Sequence, residues 1–176
     1  MVWSFYLRRA GKRVSAQPAA EPLTAFGFAR LVCNLANAPA DAATRFRAEY
    51  ERTTNPSLLP MEARLESGAM VALTAIPRGA RVVLRAAWRP EDAETYALFD
   101  VQSQTIVTMR ESLRVSWFTT SGTYDHDRSG RTETELDTFA DNVWAAPDDA
   151  RTSHLSFVLR DSRGGVAFAT ATAMTR

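Results

Sequence analysis

Three stretches of the chain alternate between apolar and polar residues with a period of two. In 81–88 the apolar positions are Val82, Leu84, Ala86 and Trp88, while Arg85 falls on the other side. Successive side chains of a β-strand point to opposite faces, so this period predicts a strand with one face in the core. The stretches 112–120 and 153–160 repeat the pattern. Their predicted core residues are Leu113, Val115, Trp117, Leu155, Phe157 and Leu159, with His154 facing outward.

Turn residues separate these stretches from four shorter candidate strands at 62–66, 70–75, 95–100 and 105–110. The segment 160–165 ends in Gly164 and Gly165, whose tolerance of positive φ suits a tight hairpin. We therefore expect strands 153–160 and 165–172 to pair antiparallel. Many short alternating strands without a long amphipathic helix predict an all-β fold, an antiparallel immunoglobulin-like β-sandwich.

Two parts of the chain leave this pattern. In 44–53, Phe46, Ala48 and Tyr50 alternate as in a strand, although 40–52 also fits a helix beginning near Asp41; the strand is the preferred interpretation. Residues before 40 are rich in alanine and proline and lack sustained alternation, which predicts an irregular, extended arm with at most one short helix. The predicted domains are the arm, 1–40, and the sandwich, 41–176.

The arm begins with a cluster of large apolar side chains, Trp3, Phe5, Tyr6 and Leu7. Such a cluster is costly on a terminus in water, so we expect it to dock on a protein partner. The basic residues that follow suit contact with an acidic protein or a phospholipid surface. They are Arg8, Arg9, Lys12 and Arg13. The alternative is a signal peptide cleaved near residue 38, which Arg30 within its apolar stretch opposes.

Composition narrows the classes of protein that fit. Among 176 residues there are 21 basic and 20 acidic side chains, a formal charge of +1, so the basic surplus of nucleic-acid-binding proteins is missing and we expect no such partner. Cys33 is the single cysteine, which excludes an internal disulfide and a cysteine-rich zinc site. A buried thiol is preferred over a lipidated Cys33, because Val32 precedes it. No stretch reaches the roughly 18 apolar residues of a membrane span.

Several short features follow one another in a fixed order between residues 55 and 172. They are Asn55-Pro56, Glu94-Thr95-Tyr96, the Trp-centred strand 110–118 with Gly122, the corner Trp144 to Pro147 and the hairpin 160–165. By these features the segment resembles a bacterial immunoglobulin-like or PKD-like domain of secreted and cell-envelope proteins of myxobacteria and their relatives. The resemblance implies a sandwich that is periplasmic, cell-envelope-bound or extracellular, with a structural or binding role and no catalytic residues to carry over. Without a cysteine pair across the sheets, it implies that Trp117 packs on aliphatic neighbours.

One local motif has metal-binding chemistry. Asp125, Asp127 and Ser129 alternate before Gly130, which is the spacing of the first half of a calcium loop. The second half does not follow: Leu136 stands where a bidentate glutamate would close the loop, and Arg128 adds positive charge. A polar loop between two strands is the preferred interpretation, calcium the alternative, and we expect no other cofactor.

Motifs for catalysis are missing from the sequence: there is no Gly-x-Ser-x-Gly elbow, no His-Glu-x-x-His and no phosphate-binding glycine loop. We therefore expect a non-enzymatic structural or accessory subunit of a cell-envelope or extracellular assembly that docks through its arm. The alternative is a module that binds carbohydrate or another extracellular ligand. Carbohydrate binding is disfavoured because Trp88 and Trp117 fall on predicted core faces and Trp144 at a sheet corner, which leaves no aromatic platform.

Overall fold

The computed structural model describes residue 35 and residues 37–176. This part of the chain contains ten strands and one α-helix. The helix α1 spans Ala40–Glu49, and short 3-10 helices span Leu73–Ala75 and Pro90–Asp92. The strands are β1 (Glu62–Leu65), β2 (Arg81–Ala87), β3 (Thr95–Asp100), β4 (Thr105–Arg110), β5 (Leu113–Thr119), β6 (Thr123–Tyr124), β7 (Arg128–Arg131), β8 (Phe139–Ala145), β9 (Thr152–Asp161) and β10 (Val166–Met174).

The strands form two four-stranded antiparallel sheets and a separate hairpin. The first sheet has the order β1-β2-β8-β6, the second has the order β10-β9-β5-β7, and β3 pairs with β4. An immunoglobulin-like sandwich has one sheet of strands A-B-E-D and another of G-F-C. Here β1-β2-β8-β6 take the places of A-B-E-D, and β10-β9-β5 take those of G-F-C. The predicted all-β sandwich is confirmed, and the hairpin β3–β4 is an addition between its second and third principal strands.

The two sheets bury their apolar faces against each other in one core. Its members include all the predicted inward residues: Val82, Leu84, Ala86, Trp88, Leu113, Val115, Trp117, Leu155, Phe157 and Leu159. The expected environment of Trp117 is wrong, because its ring packs edge-to-face on Phe157 at 5.3 Å and lies 5.7 Å from Tyr124. Trp144 is fully buried within β8 rather than placed at a corner.

The preferred strand at 44–53 is wrong, and the alternative helix is the one observed. Phe46 and Tyr50, which suggested alternation, lie one helical turn apart with ring centroids at 5.2 Å. Arg45 and Glu49 form an ion pair with the same spacing, at 2.7 Å. The helix buries Ala42 and Ala43, and Ala42 clusters with Ala97 and Ile106 of the hairpin. Tertiary contact with β3 and β4 thus decides the local conformation.

The predicted strand at 70–75 is also wrong. Met70 forms an isolated bridge to Arg64, after which Leu73–Ala75 turns into a 3-10 helix. Ile76 then bridges in parallel to Thr175, which follows β10. The chain therefore leaves the first sheet and reaches the edge of the second within a few residues, which a continuous strand would prevent.

The hairpin between β9 and β10 is organised by Asp161. Its Oδ1 accepts hydrogen bonds from the backbone N–H groups of Arg163 at 2.8 Å, Gly164 at 2.7 Å and Gly165 at 2.8 Å. Only Gly164 has a positive φ, +110°. Gly165 is needed for space instead, because a Cβ there would lie 1.9 Å from Asp161 Oδ2.

Strand β10 is the edge of the second sheet, and both ends of its open side are covered. The N–H of Val166 donates to Asn55 Oδ1 at 3.1 Å, and the carbonyl of Met174 accepts from the N–H of Ile76 at 2.9 Å. Even-numbered residues of β10 thus direct their backbone polar groups away from β9. An edge closed at both ends is protected against uncontrolled pairing with other chains.

Candidate interaction surface

The predicted docking cluster, Trp3, Phe5, Tyr6 and Leu7, lies outside the described residues, as does Cys33. The helix α1 begins at Ala40, and the division of the chain into 1–40 and 41–176 stays a prediction. Docking through the arm stays a prediction.

The three residues of the predicted calcium loop make separate contacts in the structure. Asp125 pairs with Arg81 at 2.6 Å. The backbone carbonyl of Asp127 accepts from the N–H of Trp117 at 3.1 Å, and Ser129 Oγ accepts from the indole N–H of Trp117 at 2.9 Å. The loop connects β6 to β7 in different sheets, and within the described residues no group of three or more metal-ligating side chains is found there or elsewhere.

A buried ionic cluster, which we call the Arg163 cluster, consists of Arg163, Glu111 and Glu94. Arg163 Nε donates to Glu111 Oε1 at 2.5 Å, and its Nη2 binds Glu94. The side chains of Arg163 and Glu111 are 4% and 0% exposed. The cluster joins the β9–β10 hairpin to the ends of β3 and β4. Its remaining contacts include Arg163 Nη1 to the carbonyl of Glu51, Thr53 to Glu111, and Thr54 to Glu94.

The two carboxylates of the Arg163 cluster are shifted in opposite directions. Burial raises the pKa of Glu111 and outweighs the hydrogen bond from Arg163. Burial also opposes ionisation of Glu94, but hydrogen bonds from Thr54 and Arg163 hold its pKa below the usual value. Arg163 and Glu111 are shielded from solvent, and all three charged groups are bonded to one another. The cluster therefore joins elements of the fold and offers no open acid–base site.

The outer face of the first sheet is electrically compensated. Asp141 on β8 accepts from Arg85 Nε at 2.7 Å and from Arg64 Nη2 at 2.7 Å. Arg81 pairs with Glu66 at 2.8 Å as well as with Asp125. The Arg85 guanidinium also lies 3.6 Å above the ring of Phe139. Each of the three arginines on this face, Arg64, Arg81 and Arg85, therefore has a carboxylate partner.

The outer face of the second sheet carries positive charge. Arg114 on β5, Arg160 on β9 and Arg128 on β7 are exposed, and none of them forms an ion pair with another described residue. No outward position of the four strands holds an acidic residue. Phe118 and Phe168 on the same face are 54% and 78% exposed. We call this surface the cationic face.

An apolar groove of about 380 Å³ lies beside β10, where the two sheets separate. Its walls include Leu58, Pro60 and Met61 on one side and Ala169 and Ala171 on the other. Its lining contains no titratable side chain, so the groove offers no acid–base group.

No helix in the described part of the chain is long and apolar enough to span a bilayer.

Comparison with known proteins adds little to this description. No protein-family model matches the chain, so the likeness to immunoglobulin-like or PKD-like domains is supported only as a sandwich fold. No curated protein matches its sequence. The solution structure of a lipoprotein from Bacteroides thetaiotaomicron is similar over 65% of this chain and 79% of that one, with 12% identity and a TM-score of 0.34. A likeness at this level carries no argument about function.

Proposed function

We propose that the protein is a non-catalytic structural or accessory subunit of a cell-envelope or extracellular assembly, and that it binds a protein partner. The observation that supports this proposal is the cationic face, where three arginines that form no ion pair with another described residue stand beside two exposed phenylalanines. Arginine and aromatic side chains are the residues that most often dominate protein interfaces. A location outside the cytoplasm is part of the proposal and rests on the sequence resemblance.

The arm supplies a second contact in this proposal. Its aromatic start at Trp3, Phe5, Tyr6 and Leu7 is followed by basic residues, a composition suited to docking on a protein whose surface is acidic, or to peripheral contact with phospholipid.

Two further observations favour binding of a protein partner over an enzymatic role and over a carbohydrate- or ligand-binding role. The carboxylates of Glu94 and of the buried Glu111 are both bonded to Arg163, which leaves neither as a free acid–base group. The ligand-binding alternative lacks a tryptophan platform within the described residues, because Trp88, Trp117 and Trp144 are all buried.

The test is capture of the partner from the native host with the tagged full chain, after chemical cross-linking. We expect one protein to be enriched by the wild type and by Arg78→Glu, a charge reversal at an exposed loop residue away from the cationic face. Capture should fall with the double variant Arg114→Glu/Arg160→Glu and on deletion of residues 1–13. A partner held equally by all four proteins would contradict docking through either surface, and a native N-terminus at or after residue 38 would contradict the arm.

A further inference from the structure

We propose that the cationic face binds an acidic protein segment whose carboxylates lie next to bulky apolar side chains. This inference rests on the proposed function and specifies the chemistry of the partner.

The arginines of the cationic face occupy neighbouring positions in the sheet. Arg114 on β5 is directly opposite Arg160 on β9. The next residue of β5 on the same face is Ser116, and Arg128 on β7 lies opposite it. Side chains directly opposite on paired strands have Cβ atoms about 4.5–5.5 Å apart, and like charges in that arrangement repel. Within the described part of the chain, the Arg160 side chain has one hydrogen bond, from Nη1 to Ser116 Oγ at 3.4 Å. A carboxylate placed between Arg114 and Arg160 would remove the repulsion and accept paired hydrogen bonds from a guanidinium.

Apolar side chains begin directly beside the arginines. The residue of β9 next to Arg160 on the same face is Val158, and Phe168 on β10 lies opposite it. The next one is Ser156, which lies between Phe118 on β5 and Thr170 on β10. The face therefore changes from charged to apolar over the length of a few residues. A partner that matches it carries acidic residues at one end of a short segment and bulky apolar residues at the other.

A protein segment fits this surface better than a membrane does. The exposed apolar side chains stand on the same sheet face as the hydroxyls of Ser156, Thr170 and Thr172. Inserting Phe118 and Phe168 into the acyl region of a bilayer would bury those hydroxyls without partners, which is costly. A peptide brings its own backbone polar groups to the hydroxyls.

The experiment is a titration of the ¹⁵N-labelled full chain with three peptides, followed by amide chemical shifts. The first peptide is two repeats of Glu-Glu-Phe-Ser-Leu. The second replaces each glutamate by glutamine, and the third replaces each phenylalanine and leucine by serine. The protein variants are Arg114→Glu/Arg160→Glu and the control Arg78→Glu, whose spectra also report whether each is folded.

We expect the first peptide to shift amides of β5, β9 and β10 around Arg114, Val158 and Phe168. The glutamine and serine peptides should each bind more weakly, and Arg114→Glu/Arg160→Glu should weaken binding of the first peptide by about tenfold or more, because opposite charges become like charges. Arg78→Glu should bind as the wild type does.

Several results would overturn the inference. The first is that no amide chemical shift changes at millimolar peptide, and the second is that the changes are confined to other surfaces. The third is equal binding of the glutamate and glutamine peptides. The fourth is binding only to vesicles of phosphatidylglycerol in a parallel titration. Capture of a host partner that survives Arg114→Glu/Arg160→Glu but is lost with residues 1–13 would leave the proposed function standing while this inference fails. Capture that is unchanged by Arg114→Glu/Arg160→Glu and by deletion of residues 1–13 would contradict both the inference and the proposed function.

Discussion

Trp117 and Phe118 are neighbours in β5 with opposite environments. Trp117 is 4% exposed, packs on Phe157 and donates to Ser129, whereas Phe118 is 54% exposed on the cationic face. We expect Trp117→Ala to lower the free energy of unfolding by about 3–5 kcal/mol, as large aromatic deletions in a core do. Phe118→Ala is the matched control and should cost less than about 1 kcal/mol. Denaturant titration measures both, and equal losses would mean that the strand faces are wrongly assigned.

Arg163 is the single cation of the Arg163 cluster, so its removal leaves Glu111 buried without a counter-ion. Breaking a buried ion pair in this way costs about 3–5 kcal/mol. We expect Arg163→Met to lose stability of that order at pH 7, measured by denaturant titration.

The loss should depend on pH in a defined direction. Burial already raises the pKa of Glu111, and removing Arg163 raises it further. A carboxyl whose folded pKa is raised destabilises the fold above that pKa, and the penalty disappears as the pH falls toward the unfolded value of about 4.3. The difference between Arg163→Met and the wild type should therefore shrink between pH 7 and pH 4.5. In a Glu111→Gln background the same substitution should show a weaker trend, which comes from Glu94 because Arg163 also lowers the pKa of that carboxyl. An unchanged difference with Glu111 present would refute the assignment.

At the scale of elements, β10 offers a test of which backbone groups face the open edge. Thr175 donates to the carbonyl of Arg151 and Gly165 accepts from Asp161, so odd-numbered residues bond toward β9. Proline removes a backbone donor and is tolerated in sheets only where that donor is free. Thr170→Pro should consequently cost clearly less stability than Ala171→Pro. Thermal melting of the two variants decides, and the opposite order would mean that the register of β9 and β10 is shifted by one.

The loop between β6 and β7 makes a second prediction at this scale. Asp125 is paired with Arg81 and Ser129 with Trp117, so we expect no calcium-dependent stabilisation. A ligand that binds only the folded state raises the melting temperature, and EGTA would then lower it. Melting in calcium and in EGTA should coincide within error. A shift of several degrees that Asp127→Ala abolishes would instead establish a cation site.

At the scale of the whole molecule, two hydrophobic clusters differ greatly in size. The sandwich core contains large rings such as Trp88, Trp144 and Phe157, whereas the cluster of α1 with β3 and β4 has only Ala42, Ala97 and Ile106 as buried members among the described residues. Local opening is easier where few apolar contacts are lost. Hydrogen exchange measured by mass spectrometry should therefore be faster in α1, β3 and β4 than in β5 and β9. Equal protection would indicate that the Arg163 cluster couples both parts into one cooperative unit.

Most strands were predictable from sequence because the signal for a strand is local. Alternation at 81–88, 112–120 and 153–160 identified β2, β5 and β9 and the residues they bury, and β3 and β4 were predicted with their observed bounds. The β9–β10 hairpin was also recognisable from Gly164 and Gly165. Alternation failed at 44–53, since Phe46 and Tyr50 satisfy both periods, and the contact of Ala42 with the β3–β4 hairpin, which favours the helix, is not visible in the local sequence.

The sequence by itself determined an antiparallel sandwich, because a period of two dictates which side chains share a face whatever the strand later pairs with. It also determined a total charge near zero, and from that total no partner could be named. The tertiary structure alone decided where the charges lie. It buried Arg163 between Glu111 and Glu94, placed Asp141 between Arg64 and Arg85, and left Arg114 beside Arg160 without a carboxylate. Strand pairing brings together residues that are distant in the chain, so the compensation of charge on each face depends on sheet order and register, which local patterns do not encode.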